Sequence, residues 1–573
     1  MVMGTQTLTS SRFTEAGAVP SAVKPYLRSL SATEIALWCL LCVIALLGVL
    51  YHAGGPGLSD DSYQYLSEAE NIHDGHGLTT SIVHFDTERA HGRVPAPLTT
   101  FPPGYPLAIA AFSRMGLTSE IAGLLVSAAS FILLVPLIAY AAAVLELNSM
   151  ATRLALLLLL GSFAASVFAT AVATESLFTA LSLGAMVCLL LYERGRAGAP
   201  VAAAGNLLVG FACWVRYAGL FLFVAVGAYL AWQAFRRRDR RSVIAAAWLA
   251  LPTGLISCLL VRNMVLTGSW KGGNTKAVAH PLAAILKQFG VSTYHLFFGE
   301  GVPTRLGVLQ VTLFVGLILL LLVLFLTVAR LARSLAIRTA LGSTFAHAEL
   351  LLVYVVVYNA GMIYLGMFSV ISFGSRMFYP VLPVYLLLSG LILTRVQALP
   401  STRSTSVAWT WTACAAAIVG SYWGINLENT MAHRLVSPDR VVEASFALPS
   451  ETGGSLRSWF DANVPVGAVV VATNGQATAY SLRRKVVSLV GSHFSDERWG
   501  EKEVRAVMQQ YGATFLILYP SIDPTIESVQ QESPFLQGLI EGQRPQWLQL
   551  AAENSKVMIF QSRTTWSATS LKK

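Results

Sequence analysis

The sequence predicts a polytopic α-helical membrane protein with a soluble α/β domain at its C-terminal end. Hydrophobic residues make up 54% of the 573 residues, and charged residues only 12%. The apolar residues recur in runs of about 20, the length that a helix needs to cross a bilayer. After residue 426 these runs stop, and short strand-like and helix-like patterns alternate instead.

The apolar runs predict about eleven spanning helices of about 20 residues each. The run 104–115 is shorter and follows FPPGYP, which indicates a juxtamembrane or half-inserted helix. The spans then belong to a membrane domain over residues 34–426. They are predicted at 34–52, 119–146, 151–172, 174–193, 200–214, 217–235, 242–262, 306–330, 348–371, 377–396 and 405–425.

The basic residues between the spans predict the orientation. With the N-terminal arm 1–33 in the cytoplasm, the basic clusters fall on the cytoplasmic side, as the positive-inside rule requires. The loops 53–103 and 263–305 and the tail 427–573 then lie outside a bacterial inner membrane. Because these clusters explain the net charge of +10, we expect membrane lipids and no nucleic acid as partners. The clusters are Arg153, Arg194 with Arg196, Arg236–Arg241, Arg330 with Arg333 and Arg338, and Arg395 with Arg403.

The tail predicts a small α/β domain. Strand patterns in GAVVVATN, KVVSLV, ATFLILYP, WLQLAAE and KVMIFQS are separated by helix patterns in LRSWFDANVP, QATAYSLRR and EKEVRAVMQQYG. The tail has no phosphate-binding glycine loop, metal-ligand cluster or nucleophile motif. We therefore expect a lid or packing domain rather than an independent catalytic domain.

Two adjacent acids, Asp60 and Asp61, follow the first span in LSDDSYQYL. A neighbouring like charge and partial burial raise the pKa of a carboxyl group and make its ionised form a better base. The same residues can also begin a helix that runs through Tyr63 and Leu66, with Ser59 or Asp60 as its N-cap. Both interpretations stay open, since a capping acid can also be catalytic.

Further charged residues fall near the external ends of distant spans. Charged side chains near a membrane are costly, so their presence there suggests a functional site. Glu175 opens a span in ATESLFTAL and is a further catalytic candidate, although an acid there also suits the helix dipole. Arginine binds phosphate through two parallel hydrogen bonds, although simple anchoring to lipid headgroups is the alternative for each arginine. The predicted phosphate ligands are Arg216, Arg262 and Arg376, with Lys271 in SWKGG as a further candidate.

The stretch TTFPPGYPL leads into the short run at 104–115. Pro102 and Pro103 hold the chain extended, and Gly104 permits a sharp turn, so the prolines are also explained as a helix-start signal. Together with Tyr63 and Tyr105, these prolines form the predicted substrate-site loop.

The first external loop also contains four histidines, and HDGH invites a metal interpretation. Because no third ligand follows at a recognisable spacing, surface histidines are preferred and no metal site is assigned. We expect that no cofactor is required, with a divalent metal left open. All six cysteines lie in apolar segments, so disulfides are not expected. The histidines are His73, His76, His84 and His91.

In this order the motifs resemble those of the GT-C membrane glycosyltransferases. The acidic pair is followed by FPPGYPL, TE, RYAGL, RN…TG and R…YPVLPVY, collinear over roughly residues 34–426. They are most similar to the branch of protein O-mannosyltransferases and lipid A aminoarabinose transferases. This chain has Asp-Asp where protein mannosyltransferases usually show Asp-Glu, and its tail lacks the β-trefoil insertion of eukaryotic members.

The resemblance implies an enzyme that takes a sugar from a polyprenyl-phosphate donor. It implies that Asp60 and Asp61 carry catalysis and that Arg216, Arg262 and Arg376 bind the donor phosphate. The expected acceptor is a hydroxyl group of an envelope glycan, lipid or protein. The expected reaction is an inverting single displacement with Asp60 as general base.

Two other functions are weighed against the enzyme. A transporter or flippase for a lipid-linked sugar would place charges and broken helices near the bilayer midplane, often in repeated halves. A non-catalytic glycan-binding subunit would keep the fold and lose the acids. The external position of the charges and the presence of Asp60 and Asp61 favour the enzyme.

Overall fold

The computed structural model describes residues 30–84, 87, 90–270, 272, 278–299, 348–368, 374–397, 419–420, 422–429, 438–451, 453–491, 498–520 and 529–564. The predicted span 306–330, most of the predicted span 405–425, and Lys271 lie outside these residues.

Helices make up most of the described chain up to residue 397. Seven helical segments of the described residues are long and apolar enough to cross a membrane, or eight if one bent pair forms a single span. Two of these segments, Arg240–Thr267 and Ser375–Arg395, each join successive helices named below. The polytopic helical fold is therefore confirmed, while two of the eleven predicted spans fall wholly or mostly outside the described residues. The helices are α1 Ala32–Ala53, α2 Asp60–His73, α3 Gly104–Ser113, α4 Ser119–Val144, α5 Ser149–Leu160, α6 Phe163–Thr170, α7 Glu175–Glu193, α8 Ala199–Val215, α9 Gly219–Arg237, α10 Arg240–Ala247, α11 Ala250–Thr267, α12 Leu282–Phe298, α13 Glu349–Phe368, α14 Ser375–Phe378 and α15 Leu382–Gln397.

The bent pair is α5 and α6, which the sequence predicts as one span over 151–172. The two helices meet at an angle of 60°. Ser162 caps α6 by accepting a hydrogen bond from the Ala165 amide at 3.3 Å, which favours a fresh helix start. A Cβ atom at Gly161 would lie 2.6 Å from the indole nitrogen of Trp423, so the bend also depends on close packing.

Two shorter helices flank the long spans. The run predicted as a juxtamembrane or half-inserted helix forms helix α3, and its placement in the membrane stays a prediction. The predicted span 200–214 forms α8, whose 17 residues are slightly fewer than a full crossing usually needs. It packs against α7 and α11, two of the crossing helices.

The prediction of a loop over 263–305 is wrong in part, because this segment contains helix α12. This helix packs against α6, α13 and α14, and Phe289 meets Phe378 edge-to-face with 5.0 Å between ring centroids. Lys287 and His295 interrupt its apolar run, so no window of spanning length marks it in the sequence. The segment is therefore folded against the membrane domain.

The five strands predicted in the tail all form, and they lie in a six-stranded mixed sheet of order β2-β5-β4-β6-β8-β7. The first four strands of this order run parallel, and the last two pair antiparallel. The strands are β1 Thr79–Thr80, β2 Ile82–Val83, β3 Ala96–Pro97, β4 Val469–Ala472, β5 Lys485–Ser488, β6 Phe515–Leu518, β7 Leu548–Glu553 and β8 Met558–Ser562. The tail helices are α16 Pro438–Ala447, α17 Leu456–Asn463, α18 Gly475–Leu482, α19 Glu501–Tyr511, α20 Val529–Glu532 and α21 Pro534–Ile540.

The sixth strand, β2, comes from the loop predicted at 53–103 rather than from the tail. Ile82 and Val83 pair in parallel with Val486 and Val487. A two-residue strand is too short to give a periodic signal, so the sequence does not predict it. The sheet thus joins the segment that follows the two acids to the tail.

The tail shares a hydrophobic core with the membrane helices. Side chains of β4 alternate between two faces of the sheet, as a strand requires. Val470 belongs to a large buried cluster that includes Leu183 of α7 and Phe460 of α17, whereas Val471 belongs to a second cluster with Phe560. One face of the sheet therefore packs toward the membrane domain, and the other forms a core of its own.

Candidate active site

Helix α2 begins with the two acids. Ser59 is the N-cap residue, which answers the question of Ser59 or Asp60 that the sequence leaves open. The Ser59 amide donates to the Ser62 hydroxyl at 2.9 Å, and the Ser62 hydroxyl donates to the Val172 carbonyl at 2.8 Å. The start of the helix is therefore fixed by serines, which leaves the carboxylates of Asp60 and Asp61 available for other contacts.

Four of the predicted charged residues form one ion-pair network. Arg376 pairs with Asp61, and its Nε lies 3.2 Å from Oε1 of Glu175. Arg216 donates to the same oxygen of Glu175 at 2.5 Å and to the Thr174 hydroxyl at 2.7 Å. These residues come from α2, α7, the end of α8 and α14, so the fold gathers charges that are distant in the sequence.

The members of the network differ in exposure. The side chain of Glu175 is 3% exposed and that of Arg216 is 13% exposed, whereas that of Arg376 is 37% exposed. Two carboxylates and two guanidinium groups cancel in formal charge, so the buried part is neutral. Arg376 is the member that offers the most open surface to an incoming anion.

The two adjacent acids have different electrostatic environments. Burial raises the pKa of Asp60 to about 6, and the neighbouring Asp61 contributes to the rise. Burial would also raise the pKa of Asp61, but the guanidinium of Arg376 outweighs it and holds that pKa below its usual range. Among the described residues Asp60 makes no ion pair. Asp60 can therefore accept a proton near neutral pH, while Asp61 stays ionised.

Tyr65 is a buried residue of this region that none of the sequence motifs marks. It is 3% exposed and meets Phe101 and Tyr105 edge-to-face, with centroid distances of 5.1 and 5.4 Å. Burial and the charge of Asp61 both raise the pKa of its phenol. Because residues four apart share a helix face, the spacing from Asp61 could have marked Tyr65 as a neighbour of the network.

The predicted substrate-site loop divides between two places. Pro103 is the N-cap residue of α3 and Pro102 precedes it, which agrees with a helix-start role. Tyr105 of α3 is buried, and its hydroxyl lies 2.8 Å from that of Ser127 of α4. Contact of these residues with a substrate stays a prediction.

Tyr63, the remaining member, faces the tail. Its hydroxyl donates to Oδ1 of Asp439 at 2.8 Å and accepts from the Asp439 amide at 3.0 Å. Its ring lies 5.0 Å from the ring of Tyr480, centroid to centroid. Tyr63 therefore links α2, the helix that begins with the two acids, to helices α16 and α18 of the tail.

Arg262 lies in a different polar cluster. Its Nη2 donates to the carbonyl groups of Leu78 and Leu98 at 3.2 and 3.0 Å. Near it lies Glu68 of α2, which is fully buried, and whose carboxylate oxygens have no hydrogen-bond partner among the described residues. Burial raises the pKa of Glu68 to about 8, while Arg262 opposes the rise. The predicted phosphate role of Arg262 stays a prediction.

The histidines also separate. His73, His76 and His91 are exposed, whereas His84 is buried at the end of β2. Burial lowers the pKa of His84 to about 3, against the effect of Asp61. Within the described residues no group of three or more His, Cys, Asp and Glu side chains could hold a metal ion.

The comparisons with known proteins concern both sequence and fold. Residues 97–268 match the family described as dolichyl-phosphate-mannose-protein mannosyltransferase (PMT). No curated protein sequence matches the chain. Among solved structures, ArnT from Cupriavidus metallidurans bound to undecaprenyl phosphate has a TM-score of 0.56 at 11% identity, over 93% of this chain and 98% of that chain.

Two further structures agree on the fold. ArnT in the apo state has a TM-score of 0.51 at 13% identity, over 92% of this chain and 98% of that chain. The apo oligosaccharyltransferase of Archaeoglobus fulgidus has a TM-score of 0.52 at 13% identity, over 86% of this chain and 70% of that chain. At such identities the likeness shows the fold.

The segment that matches the family carries Glu175 and Arg216, two of the four members of the ion-pair network. The fold around it is shared with the two ArnT structures along more than nine-tenths of this chain. Residues 97–268 are therefore similar to the PMT family, and the chain as a whole has the fold of ArnT.

Proposed function

We propose that the protein moves a sugar from a polyprenyl-phosphate donor to an acceptor hydroxyl group at the outer face of the membrane, in one inverting displacement. Asp60 takes the proton from the acceptor hydroxyl as its oxygen attacks the anomeric carbon from the side opposite the phosphate. The bond between the anomeric carbon and the phosphate oxygen breaks, and the electron pair leaves with the polyprenyl phosphate. A positioned general base contributes about 10²–10⁴-fold to such a step.

The observation that carries this proposal is the contrast between the two adjacent acids. Arg376 neutralises Asp61, whereas Asp60 makes no ion pair among the described residues and has a pKa raised to about 6. A base with a pKa near the working pH is both ionised and basic enough to accept a proton. Asp61 then holds Arg376 in place, which makes it a positioning residue.

The donor phosphate is proposed to bind at Arg376 and Arg216. Arg376 is partly exposed and shares Glu175 with the more buried Arg216, so both guanidinium groups are held in fixed positions. Charge that develops on the leaving phosphate is stabilised most by such preorganised donors in a site that excludes water. The ArnT structure that shares this fold binds undecaprenyl phosphate, which supports a donor of this lipid class.

We also propose a bacterial inner-membrane location with the N-terminus in the cytoplasm and the tail 427–573 outside. The acceptor is an envelope glycan, lipid or protein. No metal or other cofactor is proposed, because the arginines supply positive charge for the leaving group. Transfer that persists in excess EDTA would support this part, and loss restored by one divalent ion would overturn it.

The proposed function is tested with the purified full-length protein in lipid vesicles. Undecaprenyl-phosphate mannose labelled in the sugar serves as the donor probe, and an envelope fraction from cells that lack the protein serves as the acceptor. We expect labelled acceptor and free undecaprenyl phosphate to appear together. Asp60→Asn should lower the rate about 100-fold or more, whereas Asp74→Asn, an exposed acid at the other end of α2, should not change it.

Two outcomes would contradict the proposal. Full activity of Asp60→Asn would remove the general base. Movement of intact donor across the vesicle membrane, without release of undecaprenyl phosphate, would identify a flippase instead. A series of donors that differ in the sugar, including an arabinose-linked lipid, then shows which sugar is transferred.

A further inference from the structure

The strand order of the tail sheet predicts a position for ligand binding at the carboxyl end of β4. Strand β4 is flanked by β5 on one side and β6 on the other. The chain leaves β4 through α18 to reach β5, and then crosses back through α19 to reach β6. Where neighbouring connections diverge in this way, open α/β sheets bind ligands outside the carboxyl ends of the strands.

Three polar side chains at this point have buried atoms with no hydrogen-bond partner among the described residues. They are the hydroxyl of Thr473 and the amide nitrogens of Asn474 and Gln476. These residues are 0%, 9% and 4% exposed. Buried polar groups are nearly always paired, so three such groups within four positions indicate that something else bonds to them.

A purely structural role does not account for these residues. Asn474 occupies the N-cap position of α18, where asparagine normally accepts a hydrogen bond from the first turn, but its side chain makes no capping bond. Thr473 and Gln476 would pack as well, and with less desolvation cost, if they were apolar residues of similar size. The sequence therefore keeps polar groups where stability alone would favour apolar ones.

The same sheet edge lies beside strand β2, which follows the proposed base Asp60 in the chain. Val83 of β2 pairs with Val487, and Ala472 of β4 pairs with Ser488, so His84 and Thr473 both follow at the carboxyl edge. Asp61 acts electrostatically on His84. The other end of α18 packs on α2 through Tyr480, whose ring contacts that of Tyr63.

We propose that Thr473, Asn474 and Gln476 form a subsite for the hydroxyl groups of a neutral sugar. A hydroxyl and two amides are uncharged donors that suit sugar hydroxyl groups, whereas a buried phosphate would need a cation beside it. The sugar belongs either to the acceptor glycan or to the donor. This proposal rests on the proposed function, because it assigns a substrate to the same enzyme.

The test uses Thr473→Val and Gln476→Leu in the full-length protein, which remove the polar atoms and keep the approximate volume. Thr473→Ser restores the hydroxyl group, and Gln549→Leu on the exposed face of β7 is the matched control. Rates are measured with labelled undecaprenyl-phosphate mannose and the envelope fraction, while each is varied in turn. Thermal unfolding of every variant is recorded in the same detergent.

For an acceptor subsite we expect the half-saturating amount of envelope fraction to rise about tenfold in Thr473→Val and Gln476→Leu, with an unchanged KM for the donor. For a donor subsite the KM for the donor rises instead. In both cases Thr473→Ser stays close to wild type and the melting temperature does not fall, because an unpaired polar group has been replaced by an apolar one.

Unchanged saturation for both substrates would overturn the proposal, and so would a fall in melting temperature that parallels the loss of activity. If the wild-type protein transfers no sugar, the proposed function fails, and a binding experiment decides the subsite. Saturation-transfer NMR with methyl mannoside and methyl arabinoside should give a signal that Thr473→Val abolishes. Equal signals from wild type and variant, or none from either, would overturn the subsite as well.

Discussion

Arg376 pairs with Asp61, the second of two adjacent acids, and leaves Asp60 outside the ion-pair network. Successive residues of a helix are rotated by about 100°, so neighbouring side chains face different surroundings. One dipeptide thus supplies a carboxylate that holds an arginine and a carboxyl group with a raised pKa. This division of roles leads to the first prediction.

The rate of transfer should increase with pH through an inflection near pH 6 and become constant only at higher pH. Asp60 must be ionised to accept a proton, and burial together with Asp61 raises its pKa to about 6. The measurement is kcat/KM for the donor between pH 4.5 and 8. Asp61→Asn should move the inflection to lower pH, because it removes a negative charge beside Asp60. A rate that is constant over this range would contradict the assignment of the base.

Removal of Arg216 should destabilise the protein far more than removal of a surface arginine. Glu175 is 3% exposed, and in Arg216→Gln its ion-pair partner among the described residues would be Arg376 alone. Breaking one side of a buried pair costs about 3–5 kcal/mol. The control is Arg236→Gln, whose partner Glu349 is 26% exposed and whose loss should cost less than about 1 kcal/mol. Equal shifts in melting temperature would show that the network is not structurally important.

Glu68 should make the stability of the protein fall as the pH rises. Its pKa in the folded protein is about 8, above the usual value, so the folded state keeps a proton that the unfolded state loses. Stability therefore decreases between about pH 4.5 and pH 8, and Glu68→Gln removes this loss. We expect the melting temperature of Glu68→Gln, relative to wild type, to be higher at pH 8 than at pH 5.

Asp74→Asn is the control for this comparison, because Asp74 lies on the same helix and is exposed. Its difference from wild type should be the same at both pH values. If Glu68→Gln behaves like this control, Glu68 is ionised in the folded protein, and the attraction of Arg262 outweighs the effect of burial on its pKa.

Much of the site could be predicted from the sequence, because charge near a membrane is costly and therefore informative. The predicted spans place four charged residues on one side of the membrane, and the structure joins these residues by ion pairs. They are Asp61, Glu175, Arg216 and Arg376. The strands and helices of the tail were also predictable, since each repeats its own apolar period.

The remaining features depend on contacts between distant segments. Tyr63 bonds to Asp439 across 376 positions, and no local pattern distinguishes it from a tyrosine in a substrate loop. Strand β2 has two residues and forms only because β5 lies beside it. Glu68 reads as an ordinary polar residue of an amphipathic helix until the fold buries it.

Tyr63→Phe should loosen the tail from α2 and slow the reaction. The hydroxyl both donates to and accepts from Asp439, which is 8% exposed and would lose its partner. A buried group left unpaired costs about 1–3 kcal/mol, and α2 carries the proposed base. We expect a lower melting temperature and a lower kcat, with little change in the KM for the donor. Tyr140→Phe, at an exposed tyrosine of α4, is the control, and the same result for both would contradict this role.

Gly104→Ala should disturb the site from a position that carries no functional group. A Cβ atom there would lie 2.6 Å from the backbone carbonyl oxygen of Trp214, closer than real Cβ contacts occur. Because this contact is to backbone, α3 and α8 would have to separate, and Arg216 follows directly at the end of α8. We expect a raised KM for the donor and a lower melting temperature.

The control for this change is Gly254→Ala in α11, where a Cβ atom meets nothing within 4 Å. Alanine in a helix is favoured over glycine by up to about 1 kcal/mol, so this variant should be as stable as wild type or slightly more stable. Its kinetics should not change, because no helix is displaced. If Gly104→Ala matches Gly254→Ala in both measurements, the close contact between α3 and α8 does not position Arg216.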